Sequence, residues 1–139
     1  MTKLVIKIVV LSFIIGACNS KPRKQISDEL FTFLNTSCQY HGKKNAVVYY
    51  FDGDCSFCIA QVIALEERFG KSKDTMAINI ARTRNPAYLR FQLKESKISP
   101  CIIIPQDSTH IDTLIRKQFE FDKMYVIDDG KNIESFKLN

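Results

Sequence analysis

Hydrophobic and polar positions alternate along this chain in short blocks whose period switches between that of a helix and that of a strand. Ser27 stands before Asp28 and Glu29, and Leu30, Phe31 and Leu34 follow as an apolar stripe. A hydroxyl that can cap, acids at the positive end and a helical period predict a short leading helix. After the turn-like His41-Gly-Lys-Lys-Asn45, the run Ala46-Val-Val-Tyr-Tyr-Phe51 is continuous, apolar and rich in β-branched and aromatic residues, the pattern of a buried strand. Asp52-Gly53-Asp54 interrupts it. From Cys55 to about Phe69 a helical period places Ile59, Val62, Ile63 and Phe69 on one side and Glu66, Glu67 and Arg68 on the other. Met76 to Ala81 is a second strand, and Asn85-Pro86 supplies a cap and a proline for the first position of a helix continued by Tyr88, Leu89 and Leu93. Cys101 to Ile104 is a short apolar strand between Pro100 and Pro105, and Ile111, Leu114, Ile115 and Phe119 mark another helix. Met124 to Ile127, the turn Asp128-Asp129-Gly130-Lys131 and Ile133 to Leu138 form a closing hairpin. Alternating elements early and an antiparallel hairpin late predict an α/β fold, a mixed central sheet with helices on both faces.

The 139 residues leave room for one domain, and 45% hydrophobic content without repeats or low-complexity tracts excludes disordered and solenoid classes. The formal charge of +5 falls to +3 once Lys3 and Lys7 leave with the N-terminal segment read below as a leader. The remaining cations alternate with acids instead of forming a stripe with exposed aromatics, so a nucleic-acid partner is not expected.

Met1 to Ala17 has two early lysines, the apolar run Ile8 to Ile15 and the small pair Gly16-Ala17 before Cys18. This is the layout of a signal peptide, and the run is shorter than the ~20 residues a membrane-crossing helix requires. Ile15-Gly16-Ala17-Cys18 also resembles the lipobox of bacterial lipoproteins, with isoleucine where leucine is usual. That resemblance implies cleavage before Cys18, lipidation of Cys18 and a stable membrane anchor. Asn19 to Gln25 is polar and contains a proline, as a tether would. The expected organisation is a leader over 1–17, a lipidated tether over 18–26 and a folded domain over 27–139. Asn19, where inner-membrane retention often uses Asp, points to the outer membrane of a bacterial cell envelope, facing the periplasm.

The candidate chemistry lies in Cys55-Ser-Phe-Cys58. Two cysteines one helical turn apart can close a reversible disulfide, and a helix N-terminus favours the thiolate of the first. Cys55 is thus the candidate nucleophile and Cys58 the resolving thiol. Val47 to Cys58 resembles the first strand and active-site turn of thioredoxin superfamily proteins, and Met124 to Ile133 is similar to the closing hairpin of their TlpA and redoxin branch. The resemblance spans about residues 44 to 138. It implies a thioredoxin-like three-layer sandwich, thiol-disulfide exchange without a cofactor, and protein thiols or disulfides and a redox protein as partners.

Ser56 and Phe57 replace the proline, glycine or histidine frequent between the family's cysteines, and Tyr49 falls near the place of an acid that in the family helps deprotonate the second cysteine. Asp52 and Asp54 flank the turn and oppose a thiolate, so the Cys55 thiol is expected only modestly below an ordinary one. The family's cis-proline has two possible equivalents. If Cys101 to Ile104 is the proline strand, Pro100 is the substrate-loop residue; if that strand is the extra one of redoxin-like proteins, the place falls near Lys123-Met124 and holds no proline. The terminal hairpin favours the second alignment. Two further functions stay open: a redox-inactive adaptor or structural lipoprotein with a silent disulfide, and a zinc module using Cys38, His41, Cys55 and Cys58. Cys38 and Cys101 read as structural thiols that could pair in an oxidising compartment.

Overall fold

A computed structural model describes residues 23–40 and 43–138. The leader, Cys18 and His41 lie outside the described residues. Helix α1 (Asp28–Cys38) begins as its cap demands: the Ser27 hydroxyl accepts the Leu30 N–H at 3.3 Å. Strand β1 (Asn45–Asp52) is buried from Ala46 to Phe51, which is why its sequence is apolar without alternation. Helix α2 (Ser56–Phe69) leads to strand β2 (Thr75–Arg82), and Asn85 caps helix α3 (Pro86–Glu95) through the Tyr88 N–H, with Pro86 in its first turn. Strand β3 (Cys101–Ile103), helix α4 (His110–Gln118), strand β4 (Lys123–Ile127) and strand β5 (Ile133–Phe136) complete the order.

The five strands lie in the order β3-β2-β1-β4-β5. β1 pairs in parallel with β2 from Asn45↔Thr75 to Asp52↔Arg82, and β2 pairs in parallel with β3. β4 runs antiparallel to β1, from Ala46↔Ile127 to Tyr50↔Lys123, and to β5. The mixed sheet with helices on both faces is therefore present. Val48, Tyr50, Ile78, Ile80 and Ile127 pack under α1 and α4, against Leu30, Leu34, Ile115 and Phe119. Val47, Tyr49, Phe51, Ala77 and Ala81 pack on the other face, against Ile59, Val62 and Leu65 of α2 and Leu89 and Leu93 of α3. The alternate residues of β1 feed two separate cores, and that places β1 at the centre.

Both edge strands end earlier than the sequence predicts. β3 stops at Ile103 because Pro105 offers no N–H and restrains Ile104 before it, and β5 stops at Phe136 instead of Leu138. The start of β3 is held from two sides. Asn79, fully buried in β2, donates Nδ2–H to the Cys101 carbonyl at 3.2 Å, and Cys101 is bridged to Cys38 at the end of α1, with Cα atoms 5.6 Å apart. This bridge corrects the zinc reading. Cys38 lies in the core under α1 and α4, whereas Cys58 lies in the core under α2 and α3, so the sheet separates the proposed ligands.

Candidate active site

The turn that carries the cysteine pair is built where β1 runs out. Gly53 N–H donates to Arg82 O at 2.7 Å, and Cys55 N–H donates to Asp52 O at 3.2 Å, folding the chain back toward α2. A side chain at Gly53 would put its Cβ 2.9 Å from Thr83 Cβ and 3.1 Å from Leu89 Cδ2, closer than packed carbon atoms come. Glycine is required there by the approach of the β2–α3 loop. Asp54 ties the same two loops together: its carboxylate accepts the Thr83 hydroxyl and the Arg84 N–H, and these bonds hold it below its usual range. Asp54 thus accepts from the neighbouring loop, and Asp52 Oδ1 accepts the Asp54 N–H at 2.9 Å.

Cys55 is the N-cap of α2, and its Sγ accepts the Cys58 N–H at 3.1 Å. The two residues form a disulfide across 5.2 Å between Cα atoms. Their exposure differs, since Cys55 is half-buried and Cys58 is 5% exposed within the α2 face of the core. Phe57, between them, is 72% exposed. Tyr49 occupies the same face of β1, stacked on Phe51 at 4.9 Å between ring centroids. Burial, aided by the charge of Asp122, pushes its phenol up to about 12, so it stays protonated at neutral pH.

Pro100 is not brought to this site. It precedes β3, which runs parallel to β2 and hence to β1, so Pro100 sits at the opposite end of the sheet from the turn that follows β1. No peptide bond among the described residues is cis. The strand that does begin beside the end of β1 is β4, as the redoxin-like alignment requires. The residue there is Asp122, one position before the place read from the sequence. Its N–H donates to Tyr50 O at 2.7 Å, its φ is 59°, and its Oδ1 lies 3.9 Å from Cys58 Sγ. Sequence reasoning missed Asp122 because it lies 64 positions from Cys58 and no motif joins them. Beside the turn lies an open cleft of about 970 Å³, lined among others by Asp52, Asp54, Arg82, Arg84, Arg116 and Phe121.

No known family model matches the sequence, and no curated protein sequence matches it. Solved structures do. The thioredoxin domain of a thiol-disulfide oxidoreductase from Bacteroides vulgatus superposes with a TM-score of 0.53 at 14% identity, over 72% of this chain and 73% of that one. A thiol:disulfide interchange protein of the thioredoxin family from Chlorobium tepidum superposes with a TM-score of 0.50 at 18% identity, over 70% of each chain. With its sheet order, its helices on both faces and a cysteine pair at the start of the helix after the central strand, this chain has the thioredoxin-like fold.

Proposed function

We propose that this protein is a thiol-disulfide oxidoreductase of the bacterial cell envelope, exchanging through Cys55 and Cys58 with protein thiols or disulfides and held to the membrane by lipid on Cys18. The observation that carries the chemistry is the asymmetric cap: a half-buried Cys55 whose sulfur receives the Cys58 N–H at a helix N-terminus, within bonding reach of a buried Cys58. Those N–H groups favour negative charge on Cys55, and the thiolate is the attacking form. In the reducing direction the Cys55 thiolate attacks a substrate disulfide, forming a mixed disulfide and expelling one thiolate, which takes a proton from water. Cys58 then gives up its proton, attacks Cys55 Sγ and expels the second substrate thiolate. Two electrons pass from the dithiol to the substrate, two protons follow them, and the same atoms run the exchange in reverse.

Replacing Cys58 by Ser removes the resolving sulfur. The full-length Cys58→Ser protein, expressed in the envelope, is expected to accumulate mixed disulfides that vanish on reduction and that mass spectrometry maps to Cys55. Their absence from Cys58→Ser while wild type also fails to reduce insulin would favour the silent adaptor.

The location rests on the leader pattern and the lipobox-like Ile15 to Cys18, and the Cys38–Cys101 bridge suits an oxidising compartment. Cys18→Ala is expected to abolish labelling by a fatty-acid probe and to free the domain or leave an unprocessed precursor, while Cys55→Ala changes neither. A mature wild-type N-terminus beyond Cys18, without lipid, would refute the anchor.

A further inference from the structure

A carboxylate reaches the cysteine pair from outside the motif. Asp122 is fixed against the end of β1 by its N–H bond to Tyr50 O and by the pairing of Tyr50 with Lys123, and this places Oδ1 3.9 Å from Cys58 Sγ. A disulfide bond is about 2 Å long, so the same oxygen lies within about 6 Å of Cys55 Sγ. The two sulfurs therefore meet different surroundings. Cys58 is buried and faces a negative charge, both of which disfavour a thiolate; Cys55 is half-buried and accepts an N–H at a helix end, which favours one.

We infer that Asp122 is a proton lock on Cys58: in the reduced dithiol its carboxylate accepts the Cys58 S–H, holds that sulfur as a thiol and leaves Cys55 as the attacking thiolate. The inference rests on the exchange chemistry proposed above and assigns the order of its two steps. The first attack falls to Cys55 because Cys58 is kept protonated. The second step then waits for the Cys58 thiol to lose its proton to water, so the mixed disulfide on Cys55 is prolonged.

The other ionisable groups around the pair have partners elsewhere. Tyr49, facing Cys58 from β1, is a neutral phenol. Asp54 is bonded to Thr83 and Arg84, Asp52 accepts the Asp54 N–H, and Lys123, next to Asp122, pairs with Glu120. Asn is the suited replacement for Asp122, because it matches the shape and tolerates a left-handed backbone, whereas Ala at a φ of 59° would be strained.

The test uses the purified, reduced full chain mixed with one equivalent of dithiobis(nitrobenzoate) across a pH series. The first release of coloured thiolate reports the Cys55 attack and the second reports closure by Cys58. For Asp122→Asn the midpoint of the second release is expected to fall by about one pH unit. Thiolate then rises about tenfold while its nucleophilicity drops about threefold, a net acceleration of about threefold at neutral pH. Asp122→Glu bears the same backbone strain as Ala but retains a carboxylate, and it is expected to hold the midpoint above that of Asp122→Asn, which a merely structural role would not ensure. An unmoved midpoint in Asp122→Asn, with both releases intact, would overturn the lock alone. A slower second release would overturn it too, making the carboxylate a base for Cys58. A wild-type protein with no Cys55-dependent first release would sink the exchange chemistry, and the lock with it.

Discussion

Replacing Cys38 and Cys101 together by alanine is expected to lower the free energy of unfolding by about 4 kcal/mol. The bridge joins residues 63 positions apart, and cross-linking a loop of that length removes much of the freedom of the unfolded chain. Domains of this size are stable by only about 5–15 kcal/mol, so the loss would take a large share of the total. The native state contributes as well. β3 has three ladder pairs with β2, and its first residue is the bridged Cys101, so without the bridge its hold is a short ladder and the Asn79 bond to the Cys101 carbonyl. Guanidinium unfolding of the oxidised proteins checks this, through a lower midpoint in the double variant. The bridge between Cys55 and Cys58 spans three positions and closes too short a loop to contribute comparably. A loss under about 1 kcal/mol would mean that the Cys38–Cys101 bridge constrains neither state as the loop-entropy argument requires.

Asp112→Ala is the second change expected to be costly, by about 3 kcal/mol within the ~3–5 kcal/mol range for breaking a buried ion pair. Asp112 is almost fully buried in the first turn of α4, where one carboxylate oxygen accepts the Ser108 N–H at 3.3 Å and Arg116 Nε–H at 3.0 Å, and Arg116 Nη2 lies 2.9 Å from it. Breaking a buried pair costs more when the remaining charge is stranded, but the Arg116 side chain is 48% exposed and water can reach it, which is why the lower end of the range applies. The site is also pH-sensitive. Burial alone would raise the Asp112 carboxyl, yet Arg116 and the Ser108 N–H outweigh it and hold the group below its ordinary 3.8. A lowered native value means that its contribution is complete above about pH 5 and is lost as the pH falls through 3.8 toward that value. The stability gap between wild type and Asp112→Ala, measured by urea unfolding, should therefore narrow in acid. A gap that stays constant down to about pH 3 would contradict the ion-pair account.

Most of the architecture was legible because local and tertiary preferences agree. Ser27 and Asn85 cap the helices they precede, and the unbroken apolar run of β1 reflects burial on two faces. The turn that carries the cysteine pair was legible for the same reason: a buried strand, a break and a helical period bracket Cys55 and Cys58. What was harder to read depends on sheet order. Whether β3 or β4 starts beside the cysteines is decided by which strand pairs with β1; the closing hairpin pointed to β4, as the pairing has it, but not to the residue that stands there. Pro100 therefore falls away from the site and Asp122 enters it. Asp112 escaped notice because a single polar residue in a helical first turn looks like a surface acid until Arg116 and the 104–109 loop close over it. The turn acids were read as opposing a thiolate, but Asp54 accepts from Thr83 and Arg84, and the carboxylate in contact with a sulfur arrives from another loop.

Pro100 has a different consequence at the place it does occupy. β3 is a terminal strand of the sheet, three residues long, with Pro100 before it and Pro105 two residues after it. An open strand offers its unpaired N–H and C=O groups to any neighbouring chain, and polymerisation by strand addition starts at such borders. A proline on either side contributes no N–H, so an incoming strand would find too few donors to extend past the three residues between them. This border of the molecule is thereby closed to growth, and crowded copies can lie side by side without fusing their sheets along it.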